Sequence, residues 1–558
     1  MILAFLLFMA AQIGAPTDSL ATLRNAYEKR DAEMAASAYS DDAEVIYRYR
    51  DVPEERYRGK SAIKNSFSQL FNTIDPSKPL DLNFRITLRQ GSRLEGIYRL
   101  RVGRDGGTYG RFSALIAPDG RLSLDETTEA GLQDFEEAEG PVHLANDLED
   151  LDREYYAAMA GRYRLSDGCL LIVTRSITRL FVRNSCTQKW RGLTRMSGRH
   201  WSAGNSVIDK AAVTQYRFAP FLDGLSPHVT VTDSNGRSAM AVRADIYQTE
   251  DVVFQGDDGV RLTGTLYLPL KSREDMAATV MVHGSGPQDR DGYASIIAVM
   301  ADAMAAEGRA VLVYDKRGSG HSGGDGDRAG FDLLAADARA AMQLLRKRSD
   351  IDTSKVGLAG SSQAGWVIAR AIELGALPHD VFLLGAAGAA ISVREQNLFN
   401  TDESMRCLGL PKANRRLALA QQSAFFDFLA NPKKAAALDS LTLQANRTPQ
   451  LADWLFPSSA QIKRDDGSWY NILSTDYDPL PVWRKYSGRT LFLFGSTDDA
   501  TPSERVASLL KNTEITTRVL PSAQHLGLVA ASKCKARLPD VDQFHPGLFT
   551  ALTDFARH

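Results

Sequence analysis

The sequence predicts a multidomain chain with three parts in order: an N-terminal α+β unit, a small all-β unit, and a doubly wound, mostly parallel α/β sheet. Three observations predict it. Before residue 135 the hydrophobic period is helical and then strand-like; short β-type segments recur from Gly161 to Tyr247; and from residue 250 apolar runs alternate with amphipathic helices. A chain of 558 residues also exceeds what one core can serve, and domain sizes suggest roughly three to four folding units.

The opening stretch, MILAFLLFMAAQIGAP, is an uncharged apolar run followed by small residues. Its length matches the apolar region of a secretory signal and is too short to span a bilayer. The reading is a signal peptide over residues 1–18, cut after Ala15, and a periplasmic or secreted protein. No Lys or Arg precedes the run and Ile13 stands where a small residue is usual, so a cytoplasmic chain is the alternative.

Residues 19–135 form the next expected domain. They read as helical to about residue 60, with Leu20, Leu23, Ala26 and Tyr27 on one face, a break, and a second short helix in GKSAIKNSFSQLF. LDLNFRITLRQ, RLEGIYRLRVG, TYGRFSALIAPDG and RLSLDETTEA then alternate as an antiparallel meander does. With AYEKRDAEMAASAYSDDAEV and YRGKSAI, this pattern resembles the ketosteroid-isomerase-like, or nuclear-transport-factor-like, cone. The resemblance implies a hollow for a small ligand or a face for a homodimer. Asp31, Tyr47 and Arg48 would line its mouth, surface charge and strand aromatics being the plainer reading, and no chemistry is assigned to them.

Residues 136–247 are expected to be a linker near Gly140 and Pro141 followed by the small β domain, with segments such as GCLLIVTRS, RLFVRN and AVTQYRFAP between SDG, SGRHWSAG and DSNG turns. His200 and Trp201 there read as structural. Residues 248–558 open with a hairpin, VVFQGDDGVRLTGTLYLP. The strands ATVMVHG, AVLVYD, KVGLAG and VFLLG follow, separated by helices over 294–306, over 331–346 and from Ala364. Continuous apolar strands mean burial on both faces. Helix-like segments over 392–482 interrupt the alternation as an insertion, read as a lid; TLFLFG and TTRVLPSA resume the sheet, and GLFTALTDFAR closes it.

The stretch VGLAGSSQAGW sits where a strand must turn at once into a helix. The residue at such a tip is strained, and the positions two before and two after it crowd each other. Around Ser362 those flanks are Gly360 and Ala364; around Ser361 they are Ala359 and the bulky Gln363. Ser362 is therefore the expected nucleophile. A serine hydroxyl needs a base in hydrogen-bond reach and a carboxylate to orient that base. Asp498, at the end of TLFLFG in STDDATP, is the favoured carboxylate over Asp499 and Asp478, which read as turn-forming or solvated. His525, in LPSAQHLGL, is the favoured base; His545 precedes a helix and His558 is terminal. The oxyanion donors are expected from the main-chain N–H groups of Gln363 and of Ser285, the latter in HGSGPQDRDG. His283 comes before the nucleophile and is read as organising that loop.

HGSGPQDRDG, YDKRGSGHSGG, GSSQAG, FGSTDDATP and PSAQH occur in the order and spacing of the α/β-hydrolase superfamily, and together look most like bacterial serine carboxylesterases related to the prolyl-oligopeptidase and dienelactone-hydrolase branches. The resemblance implies hydrolysis of a small-molecule carboxylic ester through an acyl-serine, with no metal or organic cofactor. It also implies that DKRGSGHS shapes the rim, with Asp315 and Arg317 fixing the loop. Ala364 for the usual Gly and Thr490 for a frequent Pro are the departures.

Composition narrows the alternatives. A net charge of -2 offers no basic excess to attract a nucleic acid. Cys169, Cys186, Cys407 and Cys534 form no CxxC pair or metal-like cluster. In an exported chain, Cys169 with Cys186 would staple a hairpin and Cys407 with Cys534 would tie the insertion to the catalytic half, but sequence does not fix connectivity and free buried thiols are the other reading. Two further functions stay open: a serine peptidase or acylaminoacyl-peptide hydrolase, though no propeller repeat precedes the sheet, and a catalytically silent ligand-binding scaffold.

Overall fold

The computed structural model describes residues 17–49, 53–102, 106–130, 155–176, 179–270, 275–462 and 468–557. The expected signal segment up to residue 16, the linker at Gly140 and Pro141, and His558 lie outside them.

The first domain runs α1 (Thr17–Lys29), α2 (Ala32–Ser37), β1 (Tyr39–Arg48), β2 (Glu55–Arg58), α3 (Lys60–Thr73), β3 (Leu80–Gln90), β4 (Arg93–Val102), β5 (Gly106–Ile116) and β6 (Leu122–Ala130). Its sheet has the order β2-β1-β6-β5-β4-β3. The helical reading up to residue 60 is corrected here, because Tyr39–Arg48 is a strand paired in parallel with β6. Ala and Glu favour helix locally, but Ala43 and Val45 point to the core at period two, and that burial outweighs propensity. Tyr27 packs edge-on to Phe67 and Phe71 of α3 at 5.9 and 5.2 Å, closing the helices over the sheet. Asp31 caps α2 by accepting the Met34 N–H at 2.9 Å and Arg48 pairs with Glu54, so both have local structural roles.

The second domain is a single antiparallel sheet: β7 (Gly161–Arg164), β8 (Leu170–Arg175), β9 (Leu180–Asn184), β10 (Trp190–Gly192), β11 (Thr194–Ser197), β12 (His200–Ala203), β13 (Thr214–Phe218), β14 (His228–Thr232) and β15 (Ser238–Arg243). The order β10-β9-β8-β7-β15-β14-β13-β12-β11 puts β10 and β11 at opposite edges, yet only Leu193 separates them. The sheet must therefore curl until its edges share a corner. Cys169 and Cys186 are disulfide-bonded across the β8–β9 hairpin, and Cys407 is bonded to Cys534. His200 faces Gln215 at 3.1 Å, in the structural role expected of it.

The third domain begins with the hairpin β16 (Tyr247–Gln255) and β17 (Arg261–Pro269). Then come β18 (Met276–Val282), α4 (Ile296–Ala305), β19 (Ala310–Tyr314), α5 (Phe331–Arg346), β20 (Ile351–Ser361), α6 (Ala364–Glu373) and β21 (Asp380–Leu384). The insertion contributes α7 (Val393–Cys407), α8 (Lys412–Ala430), α9 (Ala435–Ala445), α10 (Trp469–Ile472) and α11 (Leu480–Lys485). β22 (Arg489–Gly495), α12 (Ser503–Leu509), β23 (Thr517–Leu520) and α13 (Pro546–Arg557) complete the chain. The sheet order is β16-β17-β19-β18-β20-β21-β22-β23, parallel from β19 to β23. Helices α5 and α6 cover one face, α4 and α13 the other. Chain order reverses between β18 and β20, and in such sheets the crevice at the strands' C-terminal ends there is the usual site.

The second domain docks on α4 through buried charge. Asp302 is 1% exposed; Arg162 reaches both its oxygens at 2.9 and 3.0 Å, and the Tyr247 hydroxyl donates to it at 2.8 Å. Removing one partner of a buried pair leaves a stranded charge. Arg162→Ala is expected to destabilise the docked domains by about 3–5 kcal/mol, visible as a lower urea midpoint; a midpoint equal to wild type would show that Asp302 is solvated or rescued by Arg183.

Candidate active site

β20 holds Ser361 in the sheet and turns Ser362 out of it. Ser361 pairs with Leu384 and is 3% exposed. Ser362 has φ +56°, and its N–H donates to the Leu384 carbonyl at 3.0 Å before α6 begins. A left-handed φ costs a residue with a Cβ on the order of 1–3 kcal/mol and persists only where neighbours enforce it. Here a Cβ on Gly360 would meet the Val282 carbonyl and stand 2.5 Å from the Ala364 Cβ. The position two before the turn therefore has room only for hydrogen, as the crowding argument for Ser362 requires. Ser362 Oγ has no hydrogen-bond partner among the described residues, and a Cβ on Gly284 of the loop after β18 would lie 3.6 Å from the Ser362 Cβ.

Asp498 follows β22 by three residues and is 1% exposed. Its Oδ1 accepts the N–H groups of Ala500 and Thr501, both at 2.8 Å, and its Oδ2 lies 2.9 Å from His525 Nδ1. The loop after β23 brings His525 over Gly385, whose φ is +59°. A Cβ there would collide with the His525 carbonyl and stand 3.1 Å from Nδ1, while the Gly385 carbonyl accepts the Thr501 hydroxyl at 2.8 Å. Leu384 and Gly385 are consecutive. The Ser362 turn is thus tied to one of them, and the Asp498–His525 pair rests on the other.

Burial alone would lower the His525 pKa, but the Asp498 carboxylate, by charge and hydrogen bond, and then Asp499, hold it above the ordinary value. His283 goes the other way: burial first, and the neighbouring Lys316 cation second, push it down to about 3, so it stays neutral and edge-on to Tyr314 at 4.8 Å. Burial and Asp498 raise the Asp499 carboxyl, whose main-chain carbonyl accepts the Asn400 side chain at 3.1 Å. Asp478 accepts the Leu480 N–H at 3.0 Å and His545 the Gly547 N–H at 3.0 Å, both as local turns.

The N–H groups of Gln363, at the start of α6, and of Ser285 donate no hydrogen bond among the described residues. Lys316 braces their two segments. Its Nζ donates to the Gly284 and Gly286 carbonyls at 2.9 and 3.0 Å and to Gln363 Oε1 at 2.8 Å, and burial lowers its pKa to about 8. Asp315 accepts the Arg290 and His321 N–H groups, and Arg317 joins Asp337 to Asp258, so both fix loops as expected. Lys316 lies inside DKRGSGHS, where a lysine among glycines and serines before a rim loop is the sequence signal of this brace. A cavity of about 640 Å³ opens beside Ser285, Lys316 and Gln363 and extends to Asn397, Trp469 and Leu473 of the insertion.

Residues 279–534 match the alpha/beta hydrolase family. The matched residues take in Ser285, Ser362, Gln363, Asp498 and His525. An uncharacterized protein of Mycobacterium tuberculosis, found in two strains, is 37% identical over 112 residues, which are 20% of this chain and 37% of that protein. The chain thus spans little more than a third of the length of the curated relatives it matches. Among solved structures, Est1E from Butyrivibrio proteoclasticus is 16% identical, covering 55% of this chain and 97% of its own, with a TM-score of 0.35. The Pyrococcus furiosus esterase Pf2001 is 15% identical over 50% of this chain and 84% of its own, with a TM-score of 0.33. No helix among the described residues is long and apolar enough to cross a membrane.

Because its folded pKa is raised, protonated His525 stabilises the fold fully below about pH 6.5, the ordinary histidine value, and this contribution is lost as pH rises through the raised pKa. Proton or nitrogen NMR of the ring is expected to titrate above pH 6.5, and Asp498→Asn to bring the midpoint below it; an unmoved midpoint would show that Asp498 is not the charge that matters.

Proposed function

We propose that the chain is a serine hydrolase that cleaves carboxylic esters, with Ser362 as nucleophile, His525 as general base and then acid, and Asp498 as the carboxylate that orients and stabilises the imidazole. The observation that carries this reading is the convergence of the Ser362 turn and the Asp498–His525 pair on Leu384 and Gly385. Neutral His525 takes the Ser362 proton as Oγ bonds to the ester carbonyl carbon. The carbonyl oxygen becomes an oxyanion, received by the N–H groups of Gln363 and Ser285, each worth ~10²–10³ in rate for such donors. The carbon–oxygen bond to the alcohol breaks as His525 gives its proton to the leaving oxygen. Water, deprotonated by the same imidazole, then adds to the acyl carbon; the bond from that carbon to Ser362 Oγ breaks as His525 returns the proton to Oγ, and the carboxylic acid leaves. Lys316 acts by holding the two donor segments together.

The two disulfides favour an oxidising compartment, which supports export as the working assignment. The helix-and-sheet order of the first domain supports the cone-like reading of residues 19–135, to which we assign no chemistry.

Fluorophosphonate labelling and turnover of short p-nitrophenyl esters test the reading. Ser362→Ala is expected to abolish labelling and turnover, and Asp498→Asn to lower kcat by about 10³–10⁴-fold. Only neutral imidazole accepts the proton, so kcat/KM should rise with pH through a midpoint above 6.5. Wild-type turnover in Ser362→Ala would refute the assignment, and faster cleavage of an acylaminoacyl anilide than of the matching ester would move the enzyme to the peptidases.

A further inference from the structure

The curled sheet of the second domain is filled at one end and hollow at the other. Tyr163, Leu180, Phe218, Val229 and Ala241 are buried in one core with Tyr156 and Trp201, whose rings meet edge-on at 5.3 Å. Two residues along the chain from each, and so on the same face, Leu165, Val182, Tyr216, Val231 and Ala239 line a cavity of about 530 Å³. Leu165 and Val231 are only half-buried there and Ala239 is exposed. The volume falls in the ~300–1,000 Å³ range of ligand sites, and the mouth of a small β-barrel is a place where such sites form. All of the lining belongs to this domain, to which the hydrolase reading gives no ligand, and the inference below does not rest on that reading.

The polar groups of the lining carry an excess of positive charge. Arg191 stands opposite Val182 in register, and Lys189, two residues before it, shares its face. Arg191 is tied down by Asp542 at 2.8 Å and the Gly204 carbonyl at 3.1 Å. Lys189 and Arg237 are exposed, and neither side chain has a hydrogen-bond or ion-pair partner among the described residues. The lining carboxylate, Asp233, is engaged by the N–H groups of Asn235 and Arg237 at 2.8 and 2.9 Å. Tyr216 is the decisive group. It is 7% exposed, yet its hydroxyl has no hydrogen-bond partner among the described residues and is not closed to solvent. Burial pushes the phenol up to about 12, with the nearby Arg191 cation pulling it back, so at neutral pH it keeps its proton and can donate. A free donor this enclosed, beside a cation, is satisfied best by an anion entering the cavity.

We infer that the second domain binds a small amphipathic carboxylate, its apolar chain lying against Val182 and Val231 inside the barrel and its carboxylate accepting from the Tyr216 hydroxyl and the Lys189 ammonium. Arg191 and Arg237 add positive potential at the mouth. A neutral ligand of the same length forgoes that potential, and an amine is repelled by it.

The test is calorimetric titration of the full chain with n-alkanoates from butanoate to dodecanoate, with n-alkanols and n-alkylammonium ions of equal length as controls. Carboxylate affinity is expected to rise about fourfold per added methylene and to level off where the chain fills the cavity. The alcohol should bind about tenfold more weakly and the ammonium ion not at all. Tyr216→Phe, which keeps the ring and removes the donor, should cost about tenfold. Lys189→Glu, at an exposed position that leaves the fold intact, should cost about fivefold. Val231→Trp, which fills the cavity, should abolish binding; if that variant does not fold, the other two decide. Absence of saturable carboxylate binding would overturn the inference, as would equal affinity for carboxylate and ammonium. Carboxylate binding at wild-type strength in Tyr216→Phe would also overturn it, because the ligand would then sit elsewhere, as in the cavity beside Ser285.

Discussion

The site depends on one steric constraint: the main chain approaches itself so closely at the C-terminal ends of β20 and β21 that side chains are excluded. Gly360 has no space for a Cβ beside Ala364 and Val282, and Gly385 none beside His525. The first exclusion lets Ser362 hold a positive φ and project from the sheet. The second lets the imidazole lie directly on the strand end to which the Ser362 N–H is bonded. Larger residues at those two positions would push the Ser362 turn and the His525 imidazole apart. A misplacement of about 1 Å in such a site is enough to cost ~10² in rate.

Around that constraint the charges are handled in contrasting ways. His525 is buried but held above its ordinary pKa by Asp498, whereas His283 is buried beside a cation and kept neutral. The second domain also contributes here. Its Arg175 pairs with Asp291 at 3.3 Å and its Thr174 shares a hydrogen bond with Ser295 at 2.9 Å, both on the segment that continues from Ser285. Ala294 and Ser295 both carry positive φ, so that segment is strained and needs outside support. A domain with no catalytic signature of its own thus helps shape the loop that carries Ser285, the donor proposed above.

Much of this was legible in the sequence because local rules and tertiary demands agree there. The α/β alternation, the hairpin at GDDG, the insertion over 392–482 and the choice of Ser362 over Ser361 each follow from periodicity or crowding, and the structure brings Asp498 to His525 as their chain order suggested. The failures have physical causes. SDDAEVIYR reads as helix because Ala and Glu favour it, and only pairing with β6, some eighty residues on, makes it a strand. Lys316 and Gly385 were invisible as functional residues because their importance lies in contacts with Gly284, Gln363, Thr501 and His525, which no local pattern announces. Disulfide connectivity was undetermined for the same reason.

The bond between Cys407 and Cys534 has a mechanical consequence. Helix α7 carries Asn397 near its first turn and ends at Cys407, which is fastened to the segment downstream of His525. The helix is therefore a strut between the cavity wall at Asn397 and the segment that follows His525. A displacement of the cavity wall at Asn397 is passed along the helix to Cys407, and from there to the stretch beside the imidazole. Reduction of that crosslink would uncouple the two walls while leaving the sheet beneath them intact.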